Sequence, residues 1–212
     1  CSSERASLLS QTDPLPSHAF AWGLTLSATR FERNPRLRGE VLHGFLVQMK
    51  KRSAAERDGD HIYGLIRGSS ENHGGRASSL TAPNAKAQAE LIKAAYREAQ
   101  IDVGTVSYIE AHGTGTALGD PIELEALKSA FAQLGAEGEG WCGVGSVKSN
   151  IGHLELAAGV AGMIKVLLQM KHATLVKSLH CEELNPYLRL EGSPFYVVRE
   201  NRAWEALRDG SG

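Results

Sequence analysis

The chain has few cysteines, no excess charge of either sign and no long apolar run, and each shortage closes off a class of protein. Cys1, Cys142 and Cys181 are its only cysteines, with no CxxC pair and an odd thiol left over. That spacing argues against a disulfide framework or a structural zinc site, and reduced thiols are expected. Lys and Arg number 23 against 24 Asp and Glu, a net charge of -1, so the basic footprint of a nucleic-acid binder is absent. No stretch approaches the roughly 18 apolar residues that cross a bilayer. Residues 1–30 lack the charged segment and apolar core of a secretion signal. No membrane association is expected, and the cytoplasm is the expected location. There is no internal repeat and no Gly-x-Ser-x-Gly elbow of the kind hydrolases use.

What is present is ordinary globular content. Of 212 residues, 42% are AVILMFWYC and 23 are glycine, enough to bury the core of one domain or a large piece of one. An opening Cys1-Ser2-Ser3 in place of Met points to a piece of a longer protein. Residues 1–53 show no sustained period. Between Arg30 and Arg52 they set seven cations against two acids, so a solvated, irregular arm is expected there. Residues 54–201 form the organised region, and 202–212 a polar tail.

In that organised region apolar strands alternate with amphipathic helices, the pattern of a layered α/β fold. Asp58-Gly59-Asp60 makes a turn into a strand over 61–68. Ala85, Ala89, Ile92, Ala95, Tyr96 and Ala99 recur every three or four positions, which predicts a helix over 84–99 with one buried face. A strand is expected over 106–111 and a second helix from Asp120 to about Leu134, with Asp120 as N-cap and Pro121 at the first helical position. Then come a strand over 142–147, a helix over 154–171 apolar on nearly every face, and strands over 174–179 and 195–198.

Two strand-to-helix turns carry the chemistry. His112 stands where one strand stops, and His153 follows the next, at the edge where open α/β sheets place reacting groups. An imidazole close to a helix N-terminus is favoured in its neutral, hydrogen-bond-donating form. Two such donors can hold a developing enolate oxygen. Lys148 could anchor an acid, and Glu123 is the preferred partner. Two other chemistries fit poorly. Gly113-x-Gly115-x-x-x-Gly119 puts its third glycine one place late for a dinucleotide turn, and the next strand ends in Lys148 rather than in a ribose-binding acid. No histidine or cysteine pair has metal-ligand spacing.

Glu110-Ala111-His112-Gly113-Thr114-Gly115-Thr116, then Gly119-Asp120-Pro121-Ile122-Glu123, and Lys148-Ser149-Asn150-Ile151-Gly152-His153-Leu154-Glu155 resemble the two histidine motifs of β-ketoacyl synthases. The likeness is to the ketosynthase domains of modular polyketide synthases. Glu71-Asn72-His73-Gly74-Gly75-Arg76 is similar to the trans-acyltransferase type, whose extender units are loaded by a separate enzyme. The resemblance implies a thiolase-like fold, here its second half. It implies acyl transfer by decarboxylative Claisen condensation, the chemistry shared with fatty acid biosynthesis. His112 and His153 would polarise a malonyl thioester carbonyl, and Lys148 with Glu123 would hold the second histidine. No cofactor is implied in this chain, since substrates ride on the phosphopantetheine of an acyl carrier protein. The implied partners are that carrier, other polyketide synthase domains and a second copy in a homodimer of the parent domain. The implied nucleophile is a cysteine thiolate. Cys1 fits it only superficially, and Cys142 and Cys181 are expected to be packing residues. The glycine-rich closing motif of such domains is not found after Trp204. A part-domain unable to turn over alone is therefore expected, and the alternative is a non-catalytic remnant that packs against or docks a partner.

Overall fold

The computed structural model describes residues 22–26, 47–75 and 83–205. Cys1, most of the arm expected to be irregular, the segment from Arg76 to Ala82 and the last seven residues lie outside them. Two pieces of that arm are regular. β1 (Trp22–Leu26) pairs antiparallel with β2 (Val47–Lys51) on one side and with β3 (Gly64–Ile66) on the other. The expectation of irregular chain is therefore corrected for these pieces. The pairing follows from sequence-distant backbone that local periodicity does not register. A short helix, α1 (Arg52–Asp58), follows β2 and ends on Gly59 at φ +70. Lys50 reaches across to Asp58 and Asp60 at 2.6 and 2.5 Å.

The body of the described region is a parallel three-stranded sheet in the order β4-β5-β7, made of Tyr108–Glu110, Cys142–Gly145 and Phe195–Val197. Helix α2 (Ala85–Ala99) starts at Asn84, whose side chain accepts the Ala87 N–H. This is the expected helix, with its cap. Helix α3 (Gly119–Gln133) links β4 to β5 and packs on α2. Because side chains alternate along a strand, the sheet has two distinct faces. Toward α3 it presents Ile109, Cys142, Val144 and Phe195, which join Val103, Leu124, Leu127 and the fully buried Phe131 in one cluster. Phe131 meets Phe195 edge-on, with ring centroids 4.8 Å apart, and Tyr96 of α2 at 5.6 Å.

The opposite face carries Tyr108, Tyr196 and Val198, with Val166 of α5 (Ala158–Lys171), Leu175 and Trp204 packed on it. Here β5 contributes only Gly143 and Gly145. A Cβ on Gly143 would lie 2.8 Å from Val198 Cγ2, and one on Gly145 2.6 Å from the Tyr108 hydroxyl oxygen. The bare strand gives its neighbours room.

Several elements are shorter than their sequence patterns. The strands expected over 61–68 and 174–179 contract to β3 and to β6 (Thr174–Leu175), which pairs antiparallel with β8 (Arg202–Ala203). The helix expected from residue 154 begins at Ala158, behind a 3-10 turn over Glu155–Ala157. Glu155 is the cause, because its φ of +49 lies in the left-handed region that no helix continues through. Asp120 is not an N-cap. Leu118 holds that position without a side-chain bond, and Asp120 accepts the Gly115 N–H at 3.1 Å, closing the glycine turn upon itself. Helix α5 is also less uniform than its apolar run suggests, since Lys165 and Gln169 are buried while Leu168 and Met170 are exposed.

Candidate active site

His112 lies two residues past β4, and His153 two past the single-turn helix α4 (Lys148–Ile151). The two loops meet. Their imidazole rings sit edge to face with centroids 5.4 Å apart and planes at 83°. Close approach is built into the first loop by Gly113, at φ +46, where a Cβ would come within 2.8 Å of Ser146 Cβ on the other loop. Only glycine fits there without displacing that loop.

Glu123 and Lys148 both serve the first histidine, which corrects the expectation that they hold the second. The Glu123 carboxylate, from the first turns of α3, accepts the backbone N–H of His112 at 2.7 Å and of Gly113 at 2.9 Å. Lys148 Nζ donates to the His112 carbonyl and faces His112 Nδ1 at 3.4 Å. The reason is the chain path. α3 runs back past the end of β4, and α4 begins beside it, so both side chains reach the nearer loop. His153 is held instead by backbone, its Nδ1 accepting the Glu155 N–H at 2.9 Å. Neither ring stands at a helix N-terminus, since α3 starts seven residues after His112 and α5 five after His153, beyond the first turn where the dipole acts.

These contacts assign the protons. An ammonium and a backbone N–H can only donate, so each Nδ1 is an acceptor, and the neutral form of each ring carries its hydrogen on Nε2. Among the described residues neither Nε2 has a hydrogen-bond partner, so each Nε2–H is available to a third group. No signal in the sequence marks the bond to His153, since it goes with the positive φ of Glu155, which only the fold reveals.

A cleft of about 440 Å³ opens beside His112, lined by Ile66, Val147, Lys148, Met163 and Met170 among others. A second cavity of about 460 Å³ lies behind Lys148 against Asp120, Glu123 and Leu184, and neither histidine lines it. Of the two, only the first is lined by a histidine of the pair, His112, and His153 lines neither. Cys142 is buried in β5, and burial pushes its thiol up to about 12. Burial also pushes the Cys181 thiol up. Both therefore lack the depressed pKa of an activated thiol. Among the described residues no three His, Cys, Asp or Glu side chains cluster as metal ligands, and no helix is long and apolar enough to cross a membrane.

The chain belongs to the β-ketoacyl synthase family, since the model for the β-ketoacyl synthase C-terminal domain matches residues 63–182. Polyketide synthase PksN of Bacillus subtilis is 64% identical over 173 residues, which is 79% of this chain and 3% of that protein. Polyketide synthase ThaG of Burkholderia thailandensis is 52% identical over 162 residues, 76% of this chain and 3% of its own length. Among solved structures, the ketosynthase from module 6 of the bacillaene synthase of Bacillus subtilis matches with a TM-score of 0.72 at 48% identity, covering 76% of this chain and 28% of that one. The oxazolomycin ketosynthase domain OzmH KS7 of Streptomyces albus matches with a TM-score of 0.75 at 46% identity, covering 78% and 28%. The fold is therefore the C-terminal part of a thiolase-like ketosynthase, and the chain spans under a third of those ketosynthase structures.

Proposed function

We propose that this chain supplies the enolate-stabilising half of a polyketide ketosynthase site. A malonyl thioester on the phosphopantetheine of an acyl carrier protein loses carbon dioxide by breaking the bond between its carboxylate and the α-carbon. The electron pair left behind becomes an enolate, and its oxygen accepts the Nε2–H groups of His112 and His153. The enolate carbon then attacks an acyl thioester carbonyl, forming the new carbon–carbon bond and expelling the thiolate. Two donors preset on one oxygen lower the barrier because they need no reorganisation as charge develops. Lys148 and Glu123 keep the first ring and its loop in place. The acyl-bearing thiol is neither Cys142 nor Cys181. Other polyketide synthase domains, a carrier and a second copy of the ketosynthase are the partners this reading requires, and the relatives' names support the first.

The observation that carries the reading is the meeting of the two imidazoles from separate βα turns. It is tested by incubating the purified chain with malonyl-loaded carrier and measuring carbon dioxide release. Release lost in both His112→Ala and His153→Ala supports it. No release from folded protein overturns it and favours the packing or carrier-docking module.

A further inference from the structure

Beneath the two rings lies an ion pair that the two-histidine chemistry does not require. Lys165, from the middle of α5, and Glu110, at the end of β4, are 2.8 Å apart with side chains only 8% and 12% exposed. Taking both charges out of water is costly, and an apolar pair of similar volume often serves a fold as well or better. The chain nevertheless makes room for it. The Cβ absent from Gly145 would sit 2.6 Å from the Tyr108 hydroxyl oxygen and 3.4 Å from Lys165 Nζ, and the one absent from Gly162 would sit 3.1 Å from Glu110 Cγ.

The bonding is divided between the two carboxylate oxygens. Glu110 Oε2 accepts from Lys165 Nζ at 2.8 Å and from the Tyr108 hydroxyl at 2.7 Å, while Lys165 also donates to that hydroxyl at 2.8 Å. Burial, with Glu110 beside it, pushes the Tyr108 hydroxyl up, so the phenol stays a donor. Glu110 Oε1 is left for a different element, and it accepts the backbone N–H of Val147. Val147 is buried and directly precedes Lys148. Glu110 stands two residues before His112. One carboxylate therefore ties the root of the His112 loop to the root of the α4 segment that leads to His153, and Lys165 with Tyr108 fixes the orientation of that carboxylate.

We infer that Glu110, oriented by Lys165 and Tyr108, is a positioning residue that sets the separation of the His112 and His153 rings through the Val147 N–H. The inference rests on the two-histidine reading of the site. Two double variants separate positioning from bulk stability, because both remove the buried charges and only one keeps an oxygen for Val147. Glu110→Gln/Lys165→Met keeps it, and Glu110→Leu/Lys165→Met does not. A third variant, Val147→Pro, leaves both charges in place, removes the N–H and exchanges the buried isopropyl group for a ring of similar size, and its native φ of −62 suits proline.

The readout is the nuclear Overhauser contact between the His112 and His153 ring protons in histidine-labelled chain, with circular dichroism to confirm folding. The contact is expected in the wild type and in Glu110→Gln/Lys165→Met, and is expected to be lost in the other two. If Glu110→Leu/Lys165→Met does not fold, Val147→Pro decides alone. A contact retained in folded Val147→Pro, or absent from the wild type, overturns the inference. Carbon dioxide release, read in parallel, should fall about 10²-fold in kcat with KM held, the cost of misplacing a catalytic group by about 1 Å. A wild type with the ring contact and no release would defeat the proposed function and leave this inference to be judged on the ring contact alone.

Discussion

Glu123 holds His112 by its backbone and not by its ring, accepting the N–H groups of His112 and Gly113 with one oxygen each. The carboxylate therefore shapes the loop on which the imidazole is mounted, while Lys148 faces the imidazole itself. Replacement of Glu123 should loosen the loop before it disturbs the chemistry of the ring. In Glu123→Gln only one oxygen remains for two donors, and one N–H loses its partner. A stability loss of about 1–3 kcal/mol is expected, toward the low end because the site is half-buried. Urea denaturation of wild type and variant measures it.

The sheet core depends on Phe131, which is fully buried between Phe195, Tyr96 and Trp141. Phe131→Ala leaves a cavity that β5 and β7 cannot collapse into. It should cost about 3–5 kcal/mol in the same urea experiment.

Gly145→Ala places a methyl where the Tyr108 hydroxyl now lies. The phenol must shift, and with it its bonds to Glu110 and Lys165. A destabilisation of about 1–3 kcal/mol is expected from the overpacking. An altered Tyr108 ring spectrum should accompany it, whereas Gly159→Ala, with open space around its Cβ, should leave that spectrum unchanged.

Stability should fall as the pH rises above 9. The Cys142 thiol has an ordinary value of 9.0 and is pushed up to about 12 by burial, so over that window the unfolded chain releases a proton that the folded chain keeps. The unfolded state then binds fewer protons, and the slope of stability with pH is negative, at most about 1.4 kcal/mol per pH unit for one group. Below pH 9 the group contributes no slope. Cys142→Ala should flatten the decline between pH 9 and 10, before the partly buried Tyr96 and the buried Tyr108 begin to contribute. Urea midpoints at pH 8, 9 and 10 show whether it does.

The exposed apolar side chains Leu156, Leu168 and Met170 should make the chain self-associate at micromolar concentration. Sedimentation velocity distinguishes this from a monodisperse monomer. Leu168→Lys combined with Met170→Lys should shift the distribution toward monomer.

Much of the layered arrangement was legible in the sequence because its cues are local. The three-to-four spacing of Ala89, Ile92 and Tyr96 marked α2, and the run from Cys142 marked β5. The meeting of His112 and His153 was legible for a topological reason, since each follows a strand of one parallel sheet. The partners of each ring were not legible. Which loop Lys148 and Glu123 reach depends on the direction α3 takes after the glycine turn, and spacing does not encode that direction. Lys165 was hidden for a related reason. Inside the run from Met163 to Leu168 it reads as the one polar break in an apolar helix, and only the empty face of β5 reveals that it points inward. The antiparallel pairing of β1 joins segments too far apart in sequence for any window to connect.

The anchor of His153 belongs to the polypeptide itself, as the amide of Glu155. Every amino acid except proline carries that amide, so point replacements nearby have little purchase on which nitrogen of His153 bears the hydrogen. Spacing does have purchase. A one-residue insertion or deletion between positions 153 and 155 would carry the amide away from the ring while leaving the residue types of the motif almost unchanged, and would free the ring to turn over.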